Sequence, residues 1–319
     1  MLGLVAVLLL AGVVAIQSPR VQTWLGHRAI EKLRGNADAE ISFSHITVRP
    51  FDALVLHDFA ILDPAPVIAG MDTLIFAQHL SVKFSLKGLL HGDMAYLSRL
   101  RLEGACFNYG VELDPAAPDG SNANLRRIFG LPYSNPEDDS PMHWGKIVKA
   151  DDVEIHNFTF RYASQPSQQR MAQEGSSYDP GTVDWSDFTV DVSSLKAMNV
   201  RVADDYVSGD VKTLQFTERR SGLVARDVKG QGVRVGKGKV YIGGLQLLFP
   251  ESSLDLSDFT LSGPLDDYGD FVEKIGLDAE ILPDSYLYLP DVGAFAGSLQ
   301  DIPFRAALQG HVSGTVSAL

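Results

Sequence analysis

The stretch SDFTVDV, Ser186–Val192, returns almost unchanged as SDFTLSG, Ser257–Gly263. Each sits inside a longer copy of one pattern: VDWSDFTV (Val183–Val190), LDLSDFTL (Leu254–Leu261), LVLHDFAI (Leu54–Ile61) and VEIHNFTF (Val153–Phe160). The grammar is apolar, any, apolar, two polar residues, then apolar, any, apolar. Looser copies are ISFSHITV (Ile41–Val48), AYLSRLRL (Ala95–Leu102), LKAMNVRV (Leu195–Val202) and VYIGGLQL (Val240–Leu247), which makes eight in all.

Side chains alternate faces along a strand, so the polar dyad should throw the second apolar pair onto the wrong face unless the backbone corrects the register. Two devices do this: a β-bulge, or a two-residue hairpin turn. Gly243-Gly244 suits a turn. Ser44-His45, Ser98-Arg99, His156-Asn157 and Met198-Asn199 suit bulges, because a tight hairpin turn needs positive φ at both central residues. Under either reading the apolar pairs share one face, and the repeat describes a bent sheet with a greasy concave side.

The rest of the chain supports a mainly β reading. A length of 319 residues allows one or two domains, and 45% apolar residues with a mean hydropathy of +0.02 is too weak for a protein that crosses the membrane many times. A net charge of -13 without a clustered basic face excludes nucleic acid as a partner. The single cysteine, Cys106, excludes an intramolecular disulfide and, beside Phe107 and Tyr109, reads as a packed thiol.

The opening MLGLVAVLLLAGVVAI, Met1–Ile16, carries no charge. As a helix it would span about 24 Å, slightly short of a ~30 Å hydrocarbon core. A membrane anchor over 1–17 is the preferred reading, with a cleaved signal peptide and a buried helix as alternatives. Arg20, Arg28, Lys32 and Arg34 follow it with no preceding basic residue, so the positive-inside bias taken literally puts the body in the cytoplasm, and the opposite orientation assumes a few basic residues missing ahead of Met1. Residues 18–35 read as an amphipathic exit helix, with Ser18-Pro19 opening it, Gly35 closing it and Val21, Leu25, Ala29 and Leu33 on one stripe.

Strands are expected over 36–130, with a short helix at SNANLRRIFG, Ser121–Gly130, turning Leu125, Ile128 and Phe129 inward. Strands continue over 131–319, interrupted by LPYSNPEDDSP, by a polar mobile loop at 164–181 and by a short helix at DVGAFAGSL, Asp291–Leu299. The last stretch, FRAALQGHVSGTVSAL, reads as an apolar edge strand, as if the chain were cut from something longer.

No catalytic constellation emerges. GQGVRVGKGK, Gly230–Lys239, has the wrong spacing for a phosphate loop and reads as a glycine-rich hairpin. The eight histidines show no metal-ligand spacing, and His57 and His156 occupy dyad positions where serine substitutes elsewhere. The acidic pairs Asp138-Asp139, Asp151-Asp152, Asp204-Asp205 and Asp266-Asp267 read as solvated turns or strand ends. Asn157-Phe158-Thr159 matches a glycosylation acceptor by pattern only. Neither an enzyme nor a cofactor-binding protein is expected.

The chain resembles the N-terminal part of TamB-like proteins of the AsmA superfamily, the translocation and assembly module of Gram-negative envelopes. The resemblance rests on the order of several stretches: MDTLIFAQHLSVKFSLKGLLHGD (Met71–Asp93), LSRLRLEGACFNY (Leu97–Tyr109), NLRRIFGLP, VDWSDFTV, LQFTERRSGLVARDVKG, LQLLFPESSLDLSDFTL and DVGAFAGSL. It implies an inner-membrane protein with its body in the periplasm, built as an elongated, bulged antiparallel β half-pipe (β-taco-like) with an apolar groove. The implied role is passage of phospholipid acyl chains toward the outer membrane, or, alternatively, assembly of outer-membrane proteins by β-strand templating. The implied partners are phospholipid, the inner membrane and an outer-membrane BamA/TamA-like β-barrel protein, met through a C-terminal region missing here. The groove would be lined by the apolar positions of the repeat: Val153, Ile155, Phe158, Phe160, Trp185, Phe188, Val190, Leu245, Leu247, Leu256, Phe259 and Leu261.

Overall fold

The computed structural model describes residues 39–49, 53–84, 94–118, 120–130, 147–175, 179, 181–203, 206–236, 238–263 and 274–315. The segments 1–17 and 18–35 and the loop at LPYSNPEDDSP lie outside these residues. No described helix is long and apolar enough to cross a membrane.

The chain is mainly β, and the fifteen strands among the described residues belong to one open sheet. In chain order they are β1 (Glu40–Ser42), β2 (His45–Arg49), β3 (Ala53–Leu62), β4 (Thr73–Phe84), β5 (Met94–Leu113), β6 (Ser121–Ala123), β7 (Ile147–Ser164), β8 (Asp187–Val202), β9 (Tyr206–Glu218), β10 (Val224–Ala225), β11 (Asp227–Gly236), β12 (Lys239–Leu248), β13 (Ser253–Ser262), β14 (Gly276–Tyr288) and β15 (Arg305–Thr315). The spatial order β1-β3-β4-β5-β7-β8-β9-β11-β12-β13-β14-β15 follows the sequence, with β2, β6 and β10 added on β3, β5 and β9. The sheet is mixed and not purely antiparallel as expected, because β5 and β7 run parallel from Met94↔Ile147 to Val111↔Ser164. A parallel pair needs a long crossover, and the chain supplies one between Leu113 and Ile147.

Seven of the eight dyads are kinks, and they fall into two rows crossing the strands. Asp58, Asn157, Asn199 and Asp258, each the second residue of its dyad, have φ of 49, 53, 55 and 51°. Asp and Asn tolerate this left-handed region better than other residues with a Cβ, which explains their recurrence at this one place. The first row runs from Ser44 through Asp58, Gln78, Gly104 (φ 59°) and Asn157 to Ser193, each skipped between paired neighbours or set at a register shift. The second passes Ser98, Asn199, Gly232 (φ 65°), Gly243 and Asp258. There the Asp210 carboxylate accepts the Gly232 N–H at 3.0 Å and the Asn199 amide at 3.4 Å. A kink in one strand breaks the ladder unless its neighbour kinks too, so a kink recurs where strands cross a row, at a copy of the dyad in most strands and at Gln78, Gly104, Ser193 or Gly232 in others.

Two dyads depart from expectation. Gly243-Gly244 forms no turn: it lies inside β12, where Ile242↔Phe259 and Gly244↔Ser257 pair on either side of the kink. The turn falls instead between β11 and β12, at Gly238 (φ 65°), as the glycine-rich hairpin reading required. Ser186-Asp187 is no bulge either. Asp184 Oδ1 accepts the Ser186 N–H at 2.9 Å and its hydroxyl at 2.6 Å, and Asp187 then begins β8. The two stretches that look most alike, SDFTVDV and SDFTLSG, are therefore a strand entry and a strand kink.

Replacing Asn157 tests the kink. Asn157→Gly should leave stability within a few tenths of a kcal/mol, whereas Asn157→Val should cost about 1–3 kcal/mol for a β-branched residue held at positive φ. Urea midpoints measure both, and equal midpoints would contradict the account of the dyad.

Short helices close one end of the sheet. Helix α1 (Asn124–Ile128) packs fully buried Ile128, with Leu125 and Phe129, against Ala39, Ile61 and Leu74. Arg127 clasps it to the sheet, reaching Asp63 at 2.5 Å and Glu112 at 2.7 Å; both acids are almost entirely buried. The expected mobile loop at 164–181 is instead largely helix α2 (Gln165–Glu174). Ser164 caps it by accepting the Ser167 N–H, Pro166 sits in its first turn and Gly175 ends it at φ 66°. In place of one helix over Asp291–Leu299, two 3-10 turns form, Leu289–Val292 and Gly297–Leu299.

Candidate functional site

Paired residues on neighbouring strands point to the same face, so the register identifies the sheet's two surfaces. One face carries continuous apolar rows, one residue per strand. The row Ile46–Leu56–Leu80–Leu102–Ile155–Leu195–Leu214 crosses β2, β3, β4, β5, β7, β8 and β9. Next to it, Val48–Leu54–Val82–Leu100–Val153–Ala197–Val211–Gly230–Leu245–Leu256–Ile281 crosses as far as β14. Gly230 interrupts this row for a reason: a Cβ there would meet Val233 Cγ2 at 2.8 Å and Ile242 Cγ2 at 3.5 Å. Those two side chains fill its place, which sets Ile242 on the same face as Leu245.

The kinks keep the face apolar beyond themselves. Leu195 pairs Leu214 and Val192 pairs Phe216. Leu214 and Phe216 are two apart in β9 and share a face, so Leu195 and Val192 share it despite their odd spacing across the Ser193 bulge. Their partners in β7, Ile155 and Phe158, therefore share it as well.

The expected lining residues divide into two groups. Phe160, Trp185, Phe188, Val190 and Leu247 join a closed core with Tyr162, Val183, Leu223, Phe249 and Ala294. Phe188 is only 7% exposed, and its ring lies 5.2 Å from Tyr162, 5.9 Å from Trp185 and 6.0 Å from Phe160. Connecting segments cover this end of the face: Val183 donates its N–H to Ala294 at 2.8 Å, Gln300 Nε2 donates to the Gly181 carbonyl at 2.6 Å, and Trp185 stacks on Phe295.

The second group is mixed: Ile155, Phe158, Phe259 and Leu261 are half-buried, whereas Val153, Leu245 and Leu256 are as buried as Phe188. Val153 and Ile155 cluster with Leu97, Leu100, Leu195 and Val200, flanked by Ala150 and Ala197. Phe158 and Val192 border a surface depression whose lining is mostly polar, with Thr159, Asp191, Gln215, Thr217 and Arg226 in it, and the neighbouring Phe216 and Ala225 belong to the closed core. Leu245 and Leu256 border another, which Val211 and Leu282 share with Lys212, Lys229, Gln246 and Asp255. Phe259 pairs Ile242, and Leu261 pairs Val240 and Leu277. The Leu56–Leu80–Leu102–Ile155–Leu195–Leu214 row is half-buried throughout, and no described layer covers it as sheets usually require.

The opposite face is polar. Glu154 and Lys196 pair there at 3.5 Å and Arg101 and Glu103 at 3.4 Å. Asp151 and Asp152 stand inside β7, where Asp151 accepts the Tyr96 hydroxyl and Asp152 pairs with Arg99 at 2.9 Å. Cys106 is half-buried beside Phe76, and burial pushes its thiol up, which disfavours the reactive thiolate. Comparison with protein-family models and with curated proteins gives no match.

Proposed function

We propose that this chain is a membrane-anchored periplasmic conduit whose sheet, bent along its two kink rows, guides phospholipid acyl chains over its apolar face. The observation that carries the proposal is the half-buried apolar row from Leu56 to Leu214, set across the strands with no covering layer among the described residues. An acyl chain lying along it exchanges bilayer contacts for leucine and isoleucine contacts at little net change, while each CH₂ kept from water contributes about 0.8 kcal/mol. Headgroups stay in water along the open margin. The residues left to meet lipid are Ile155, Phe158, Phe259 and Leu261, which are half-buried, while Val153, Leu245 and Leu256 are as buried as Phe188 and support the face from within. Phe188 and Trp185 serve the closed core.

Assembly of outer-membrane proteins by strand templating is the second reading. It draws on β15, which pairs only β14 among the described residues and alternates exposed and half-buried positions. Lipid extraction and native mass spectrometry of the purified full chain separate the two. The conduit predicts co-purifying phospholipid that survives detergent exchange, and a lipid-free protein that captures unfolded β-barrel strands would favour templating.

A further inference from the structure

The polar face carries a histidine row that no local sequence pattern announces. Beside the first kink row, His45, His57 and His79 pair across β2, β3 and β4, with Glu103 of β5 next in line. The rings of His45 and His57 stack at 3.9 Å with 12° between planes, and His79 meets His57 edge-on at 4.9 Å. His57 also holds the joint between β1 and β2: its carbonyl accepts the Ser44 N–H at 2.9 Å and the Ser44 hydroxyl at 3.1 Å. Stacked rings turn faces, not lone pairs, toward each other, and among the described residues no group of His, Cys, Asp or Glu is placed to hold a metal ion.

We propose that the His45–His57–His79 stack is an acid-sensitive fastener that holds β2 on the sheet while His57 is neutral and releases it when His57 takes a proton. This does not rest on the conduit reading. The groups facing His57 are His45 from β2 and His79 from β4, with Glu103 beyond His79 and Asp58 following on β3. Burial, then His45, then His79 lower the His57 pKa, and Asp58 opposes them only weakly. A histidine with a lowered folded pKa contributes stability that is complete above the ordinary value of about 6.5 and is lost as pH falls through the folded value. Release of β2 would take Ile46 from the end of the apolar row.

Hydrogen exchange of the full chain, read by mass spectrometry at pH 7.5 and 5.5 and corrected for intrinsic rates, tests this. Peptides covering β2 and the first half of β3 should lose protection roughly tenfold at the lower pH, while β12 and β13 keep theirs. His57→Phe retains a ring for stacking and takes no proton, so it should abolish the difference. An equal response in His57→Phe overturns the proposal. So does unchanged protection of β2 in the wild type, a comparison that stands without the variant.

Discussion

Phe188→Asp is expected to abolish folding of the β7–β8 end of the sheet. Truncating a buried phenylalanine alone costs about 3–5 kcal/mol, and a carboxylate placed there without a partner adds a desolvation cost of similar order. Phe188 is enclosed by Tyr162, Trp185 and Phe160, and the connecting segments around Val183 and Ala294 shut water out. The total is comparable with the whole stability of an ordinary domain. Soluble yield and near-ultraviolet circular dichroism report the outcome. A folded Phe188→Asp protein would show that this end of the face is open and that the aromatic cluster is not a core.

Ile155→Asp is expected to act differently, removing bound lipid while the sheet persists. Ile155 is half-buried between Leu102 and Leu195, so its carboxylate can turn toward water at a cost of about 1–3 kcal/mol. An acyl chain crossing that point loses its apolar contact and meets a charge. Co-purifying phospholipid should fall at least tenfold, equivalent to about 1.4 kcal/mol of binding. Glu154→Gln, one residue away on the polar face, should leave the lipid unchanged, because its exposed pair with Lys196 is worth little.

The repeat made the strands and the common apolar face legible, because both follow from alternation and its interruption. It could not show that the interruptions line up, since that depends on pairing between residues distant in sequence. For the same reason the parallel β5–β7 pair and the stacking of His45 on His57 lay beyond any local pattern. Gly243-Gly244 misled through composition: two glycines suit a turn, yet here they let β12 follow the kink that Asp258 imposes on β13. Helix α2 could have been read, with Ser164 as cap, Pro166 in the first turn and Gly175 as stop, but its polarity concealed it. Phe188 and Trp185 obey the same apolar pattern as Ile155, and only the path of the connecting segments decides which become core.

Paired photo-crosslinkers at Ile155 and Glu154 in the full-length protein, irradiated in cells, test the central claim most directly. The two positions adjoin in β7 and face opposite sides of the sheet. The account predicts phospholipid adducts at Ile155 and almost none at Glu154. Equal labelling at both, or adducts to protein alone at Ile155, would contradict it.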